Sequence, residues 1–239
     1  MQRTLPKIVS LLFILMLQAC AAQSHLIQDE LQTVTKENLK YYLYYPENYF
    51  ESKEDFGLLL FLHGGGESGR NLEEIKDTGP PKMLAEGKQF PFLILAPQNS
   101  HAKKWWNTEA VVQLLDSVAN VHRVDKKRIY LTGLSRGGSA CWELATQYPK
   151  KFAAMAVVCG MTPLPYAHWI DRELPIWVFH GDRDEVIQVG ESDRMVAKLR
   201  EMGHEVRYTR YKGVGHNAWG RAYTTDSLYT WINAQKRIN

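Results

Sequence analysis

Short, nearly continuous apolar runs recur along this chain, separated by longer stretches of helical periodicity. Leu58 to Leu62, Phe92 to Ala96, Ile129 to Thr132, Ala153 to Val158 and Ile176 to Phe179 have the length and composition of strands buried on both faces. Between them, helices are predicted near Asn71 to Glu86, Thr108 to Val121, Gly138 to Tyr148 and Gly190 to Met202, and Val206 to Tyr211 alternates as a later strand. Alternating strands and helices predict an α/β fold: a mainly parallel sheet with right-handed crossovers and helices on both faces. Near the N-terminus, Leu31 to Thr35 and Leu39 to Tyr45 predict an antiparallel hairpin turning at Lys36-Glu37-Asn38, with Leu39, Tyr41, Leu43 and Tyr45 on one face.

Gly133-Leu134-Ser135-Arg136-Gly137 follows one of these buried runs directly and precedes a helix. A tight strand-to-helix turn lifts a serine hydroxyl to the open edge of a sheet, and small flanking residues are needed because backbone and helix pass so closely. The partners that would activate such a serine follow in chain order. The run Pro175 to His180 ends in Gly181-Asp182-Arg183-Asp184, and Val206 to Tyr211 leads through Lys212-Gly213-Val214-Gly215 into His216. In this reading His216 takes the proton of Ser135, and a carboxylate orients the imidazole. Asp182 and Asp184 compete for that part, and the deeper position of Asp184 in the turn favours it.

Leu58 to His63 opens into Gly64-Gly65-Gly66. Three glycines let backbone N–H groups approach a developing oxyanion, and the expected donors are the amides of Arg136 and Gly65, with Gly66 as the alternate. Trp105 and Trp106, in the loop Gln98 to Asn107, suit an aromatic or carbohydrate face of a substrate, or alternatively the core.

These motifs together resemble the bacterial α/β-hydrolase group of predicted peptidases and phospholipase/carboxylesterase-like proteins, related to feruloyl and acetylxylan esterases. The resemblance runs from Leu62 to Gly66 with Glu67 and Gly69, through Ala96-Pro97-Gln98, Trp105-Trp106, Tyr130 to Gly138 with Trp142, and Phe152-Ala153-Ala154. It continues through Phe179 to Asp184 and ends at Gly213 to His216 with Trp219. It implies an α/β-hydrolase fold with Ser135, Asp184 and His216 as the catalytic set. The chain departs from the group at Arg136, where methionine often follows the serine.

Arg3 and Lys7 precede the apolar run Ile8 to Leu17, which is far shorter than the roughly 20 residues of a membrane span and suits a signal-peptide core. Leu17-Gln18-Ala19-Cys20 resembles a bacterial lipobox, so the expected organisation is a lipoprotein signal at 1–19, lipidation at Cys20, a polar tether over 20–29 and one hydrolase domain over 30–239. Secretion with cleavage near Ala21 or Ala22 is the alternative. The expected location is the cell envelope, on a membrane through the lipid anchor.

Removing Arg3 and Lys7 lowers the formal charge from +3 to +1, which points away from nucleic acid as a partner. A hydrophobic fraction of 45% suits a single α/β core. Besides Cys20, Cys141 and Cys159 form either a bridge or two buried thiols. The sequence carries neither a His-Glu-x-x-His cluster nor a phosphate-binding glycine loop, so no metal and no cofactor are expected. The leading function is therefore hydrolysis of small or carbohydrate-linked carboxylic esters through an acyl-serine. The rivals are a serine peptidase similar to the prolyl oligopeptidase catalytic domain and a catalytically dead binding protein on the same fold.

Overall fold

The computed structural model describes residues 37–238. The expected signal, Cys20, the tether and the hairpin arm Leu31 to Thr35 lie outside the described residues. Seven strands form one sheet: β1 (Tyr41–Tyr44), β2 (Phe56–Leu62), β3 (Leu93–Pro97), β4 (Val124–Leu134), β5 (Ala154–Val158), β6 (Ile176–Gly181) and β7 (Val206–Tyr211), in the order β1-β3-β2-β4-β5-β6-β7. All neighbours are parallel except β1, which runs antiparallel to β3, with Tyr41 opposite Pro97 and Tyr44 opposite Ile94.

Along β2, Leu58, Leu60 and Leu62 enter one apolar cluster while Leu59 and Phe61 enter the other. A strand buried on both faces has no polar side to show, which is why its sequence is continuously apolar. Helices α2 (Thr108–Val121), α3 (Arg136–Gln147) and α4 (Gly190–Glu201) supply residues to the first cluster. Helix α1 (Gly79–Ala85), whose Met83 and Leu84 pack on the second cluster, lies on the opposite face with α5 (Trp219–Tyr223) and α6 (Asp226–Asn233). The handedness of the crossovers accounts for this split. From β2 the chain steps to β3 on one side and then back past β2 to β4, and right-handed connections in opposite directions put their helices on opposite faces. The reversal opens a crevice at the carboxyl ends of β2 and β4, where open sheets bind ligands.

Two stretches of the chain differ from the sequence expectation. The helix predicted over Asn71 to Glu86 is a 3-10 turn, Leu72–Asp77, followed by α1, with a break at Thr78 and Gly79. Pro80 and Pro81 lack the N–H groups a continuous helix would need and fit only a fresh first turn, and Gly79 takes φ +62 to make the corner. Helices α5 and α6 have no counterpart among the predicted elements. They place Ala222, Leu228, Trp231 and Ile232 over Phe92, Tyr130 and Phe179, closing a face that would otherwise be exposed.

Candidate active site

Ser135 sits between β4 and α3 with φ 51 and ψ −118, a conformation L residues seldom hold. Such a backbone stores on the order of 1–3 kcal/mol of strain and persists only where its surroundings impose it. Here Ser135 N–H donates to Val158 O at 2.9 Å, and its carbonyl accepts the N–H of Ser139 at 2.9 Å. The turn is also crowded: a Cβ on Gly137 would stand 2.0 Å from Leu62 O. Only glycine lets α3 begin this close to β2.

His216 follows β7 and reaches back to this turn. Ser135 Oγ–H donates to His216 Nε2 at 2.9 Å, and His216 Nδ1–H donates to Asp184 Oδ2 at 2.8 Å. The Asp184 side chain is fully buried. Its other oxygen, Oδ1, accepts the N–H groups of Val186 and Ile187 at 2.9 Å each, so the carboxyl group is oriented by the loop's own backbone. Asp182, the competing carboxylate, accepts the N–H of Gly213 at 2.7 Å and holds the turn before His216 instead. His180 fixes the acid loop from below: Nε2–H donates to Ile187 O at 2.8 Å and Nδ1 accepts from Ser192 Oγ at 2.7 Å. A carboxylate, imidazole and hydroxyl linked in this order form an arrangement that can make a serine oxygen a nucleophile toward carbonyl carbon.

Cys159, at φ 41 directly behind Ser135, donates its thiol to His216 O at 3.3 Å. Cys141 and Cys159 are free and buried, so the bridge alternative is not realised. Burial pushes the Cys159 thiol up to about 12, which keeps it protonated and poorly nucleophilic. Cys159, Asp184 and His216 bring ligand-type atoms within 4.8 Å of one another. Asp184 and His216 are already bonded to each other there, so this donor set does not fit a metal ion as arranged.

His63 stands beside this constellation, and motif spacing does not single it out. It is fully buried at the end of β2, with Nδ1–H donating to Gly64 O at 2.7 Å and Nε2 accepting the N–H of Asn99 at 3.0 Å. Trp106 packs against it with the ring planes tilted by 56° and donates Nε1–H to its carbonyl at 3.4 Å. Burial holds its pKa down at about 4 against the opposing pull of its bond to Gly64, and the nearby Arg136 cation adds a smaller lowering. A neutral imidazole therefore joins the glycine loop to the loop that follows β3. The available signal was its position, a histidine ending a fully apolar strand.

Gly64, Gly65 and Gly66 stand beside the elbow, and a Cβ on Gly64 would lie 3.6 Å from Ser135 Cβ. Arg136 opens α3, so its amide belongs to the first turn, whose N–H groups have no intrahelical acceptor. The tryptophan pair is divided. Trp105 is 57% exposed, whereas Trp106 is 5% exposed and belongs to the core, which corrects its assignment as a substrate contact. Trp105 borders a cleft of about 470 Å³ with Ser139, Glu143, Met161, Tyr166 and Glu191. Among the described residues no helix is long and apolar enough to cross a membrane.

The model of a family described as the dienelactone hydrolase family matches residues 96–226, more than half of the chain. The chain is similar to the bifunctional acetylxylan esterase/xylanase XynS20E of Neocallimastix patriciarum, at 26% identity over 187 residues. That match covers 76% of this chain and 26% of the relative, so the chain spans about a quarter of that protein's length. It is also similar to acyl-protein thioesterase 1 of Neurospora crassa, at 26% identity covering 67% of this chain and 80% of that protein. Among solved structures, a thermostable esterase superposes with a TM-score of 0.73 at 28% identity, covering 83% of this chain and 60% of that one.

Proposed function

Because the chain belongs to the dienelactone hydrolase family, we propose that it is a serine carboxylic ester hydrolase acting on small or carbohydrate-linked esters. The observation that carries this reading is the continuous hydrogen-bonded chain from buried Asp184 through His216 to the strained Ser135 hydroxyl. Ser135 Oγ attacks the ester carbonyl carbon as His216 Nε2 takes its proton, and Asp184 stabilises the resulting imidazolium. The carbonyl oxygen, now negative, lies against the amides of Gly65 and Arg136, with Gly66 as the alternate donor. The imidazolium then protonates the departing alcohol. Water repeats the sequence on the acyl-serine, releasing the acid and restoring the hydroxyl.

The names of the relatives support an ester substrate, and the exposed Trp105 supports one with a flat apolar face. The proposal extends to location, in the cell envelope with lipid on Cys20; Cys20→Ser should then release the full chain from membrane fractions, and unchanged attachment would overturn that part. Activity is tested on the full chain in mild detergent with short-chain nitrophenyl esters, methyl ferulate, acetylated xylan and a proline-containing peptide amide. Ester turnover that vanishes in Ser135→Ala is the expected result. Amide cleavage without ester turnover would favour a peptidase instead.

A further inference from the structure

The side chain of Arg136 makes contacts that its backbone amide does not require. Nη1 donates to Ala102 O at 2.9 Å, to Lys104 O at 3.2 Å and to Ser68 Oγ at 3.4 Å. The opposite nitrogen, Nη2, lies over Gly65, where a Cβ would meet it at 3.0 Å and Cζ at 3.2 Å. Ser68 closes the same glycine loop on itself, its N–H reaching Gly65 O and its hydroxyl reaching Gly64 O, each at 3.4 Å. One planar group on α3 thus touches both loops that flank Ser135. Among the described residues it has no carboxylate partner, so its contacts on this rim are with neutral oxygens and a glycine.

Three consecutive glycines carry more backbone freedom than any other tripeptide. Donors that stabilise an oxyanion act only if they are already aimed when charge develops, because reorganising them during the reaction raises the barrier. His63 anchors the base of this loop through Gly64 and Asn99, but Gly65 and Gly66 extend beyond that bond. We propose that the Arg136 side chain is a positioning residue for the oxyanion loop: it clamps Gly65 and Ser68 against residues 102–104 and fixes the Gly65 amide relative to Ser135. The inference rests on the esterase reading above and adds a role distinct from the Arg136 backbone donor, which any residue but proline would keep at this position.

The test compares the full chain with Arg136→Met, Arg136→Ala and Arg136→Lys on a short nitrophenyl ester. Methionine retains the packing over Gly65 and removes every donor. A loss of aim of about 1 Å costs about 100-fold in rate, so kcat should fall by roughly 10- to 100-fold in Arg136→Met with KM nearly constant. Lysine, which keeps a donor cation, should recover part of the loss, and so should millimolar guanidinium ion added to Arg136→Ala. Parental kcat in Arg136→Met overturns the proposal. So does a fall in kcat that follows a fall in melting temperature and is rescued by neither lysine nor guanidinium. If the parent itself neither hydrolyses esters nor takes a fluorophosphonate label, the esterase reading fails and this inference fails with it; with an active parent, the variants report on Arg136 alone.

Discussion

Acid should weaken this fold through His63 in particular. The imidazole is neutral, with Nδ1–H committed to Gly64 O and the Nε2 lone pair committed to the N–H of Asn99. Adding a proton at Nε2 would set two donors face to face in a site without solvent access. The folded-state pKa of about 4 lies below the ordinary value of 6.5, so as pH falls the unfolded chain takes up this proton first. Stability from this group is therefore complete above pH 6.5, is lost between about 6.5 and 4, and changes no further below that. A depression of that size corresponds to about 3 kcal/mol, a large share of the roughly 5–15 kcal/mol typical of a folded domain. Urea unfolding at half-unit steps from pH 7.5 to 4 measures it, with His63→Gln as the comparison, since an amide retains a donor and an acceptor but does not titrate. The variant starts less stable and should show a slope shallower by about one proton in this window. Parallel curves for parent and variant, or a His63 ring that titrates near 6.5 in the folded protein by NMR, would refute the reasoning.

Other outcomes follow from the same geometry. Ser135→Gly and Ser135→Ala should both abolish ester turnover, but glycine relieves the φ 51 strain, so Ser135→Gly should be the more stable by roughly 1 kcal/mol in urea unfolding. Gly137→Ala forces a methyl to within 2.0 Å of Leu62 O and should cost about 3 kcal/mol or more while lowering kcat, because the elbow itself must shift. Asp184→Asn should lower kcat by about 10⁴-fold, since an amide favours the wrong histidine tautomer. Asp182→Asn, at a carboxylate that accepts the N–H of Gly213 rather than holding His216, should cost far less. Trp105→Ala should raise KM for an acetylated oligosaccharide and leave a nitrophenyl acetate unaffected, measured in parallel on both.

The parts of the molecule legible in the sequence are those set by local pattern. Thr108–Val121 and Val206–Tyr211 have the boundaries the pattern predicts, because amphipathic periodicity and strand alternation are local properties. The constellation around Ser135 was legible as chemistry: chain order and turn context group Ser135, Asp184 and His216, and the structure links them by bonds of 2.9 and 2.8 Å. What stayed hidden depends on partners distant in sequence. The neutrality of His63 is imposed first by burial, and its Nε2 partner Asn99 lies in the loop after a different strand; Trp105 and Trp106 are adjacent in sequence, yet one is exposed and the other buried. The break before Gly79 could have been read from Pro80-Pro81, whereas α5 and α6 have too few residues to announce themselves by periodicity.

The central claim is that Ser135, activated by His216, is the nucleophile, and the most direct test is the site and rate of covalent labelling by a fluorophosphonate, read by peptide mass spectrometry. The expected result is one modified peptide, carrying Ser135, and a labelling rate that collapses in His216→Ala. Modification at any other residue, or labelling of Ser135 that proceeds equally fast without His216, would contradict it.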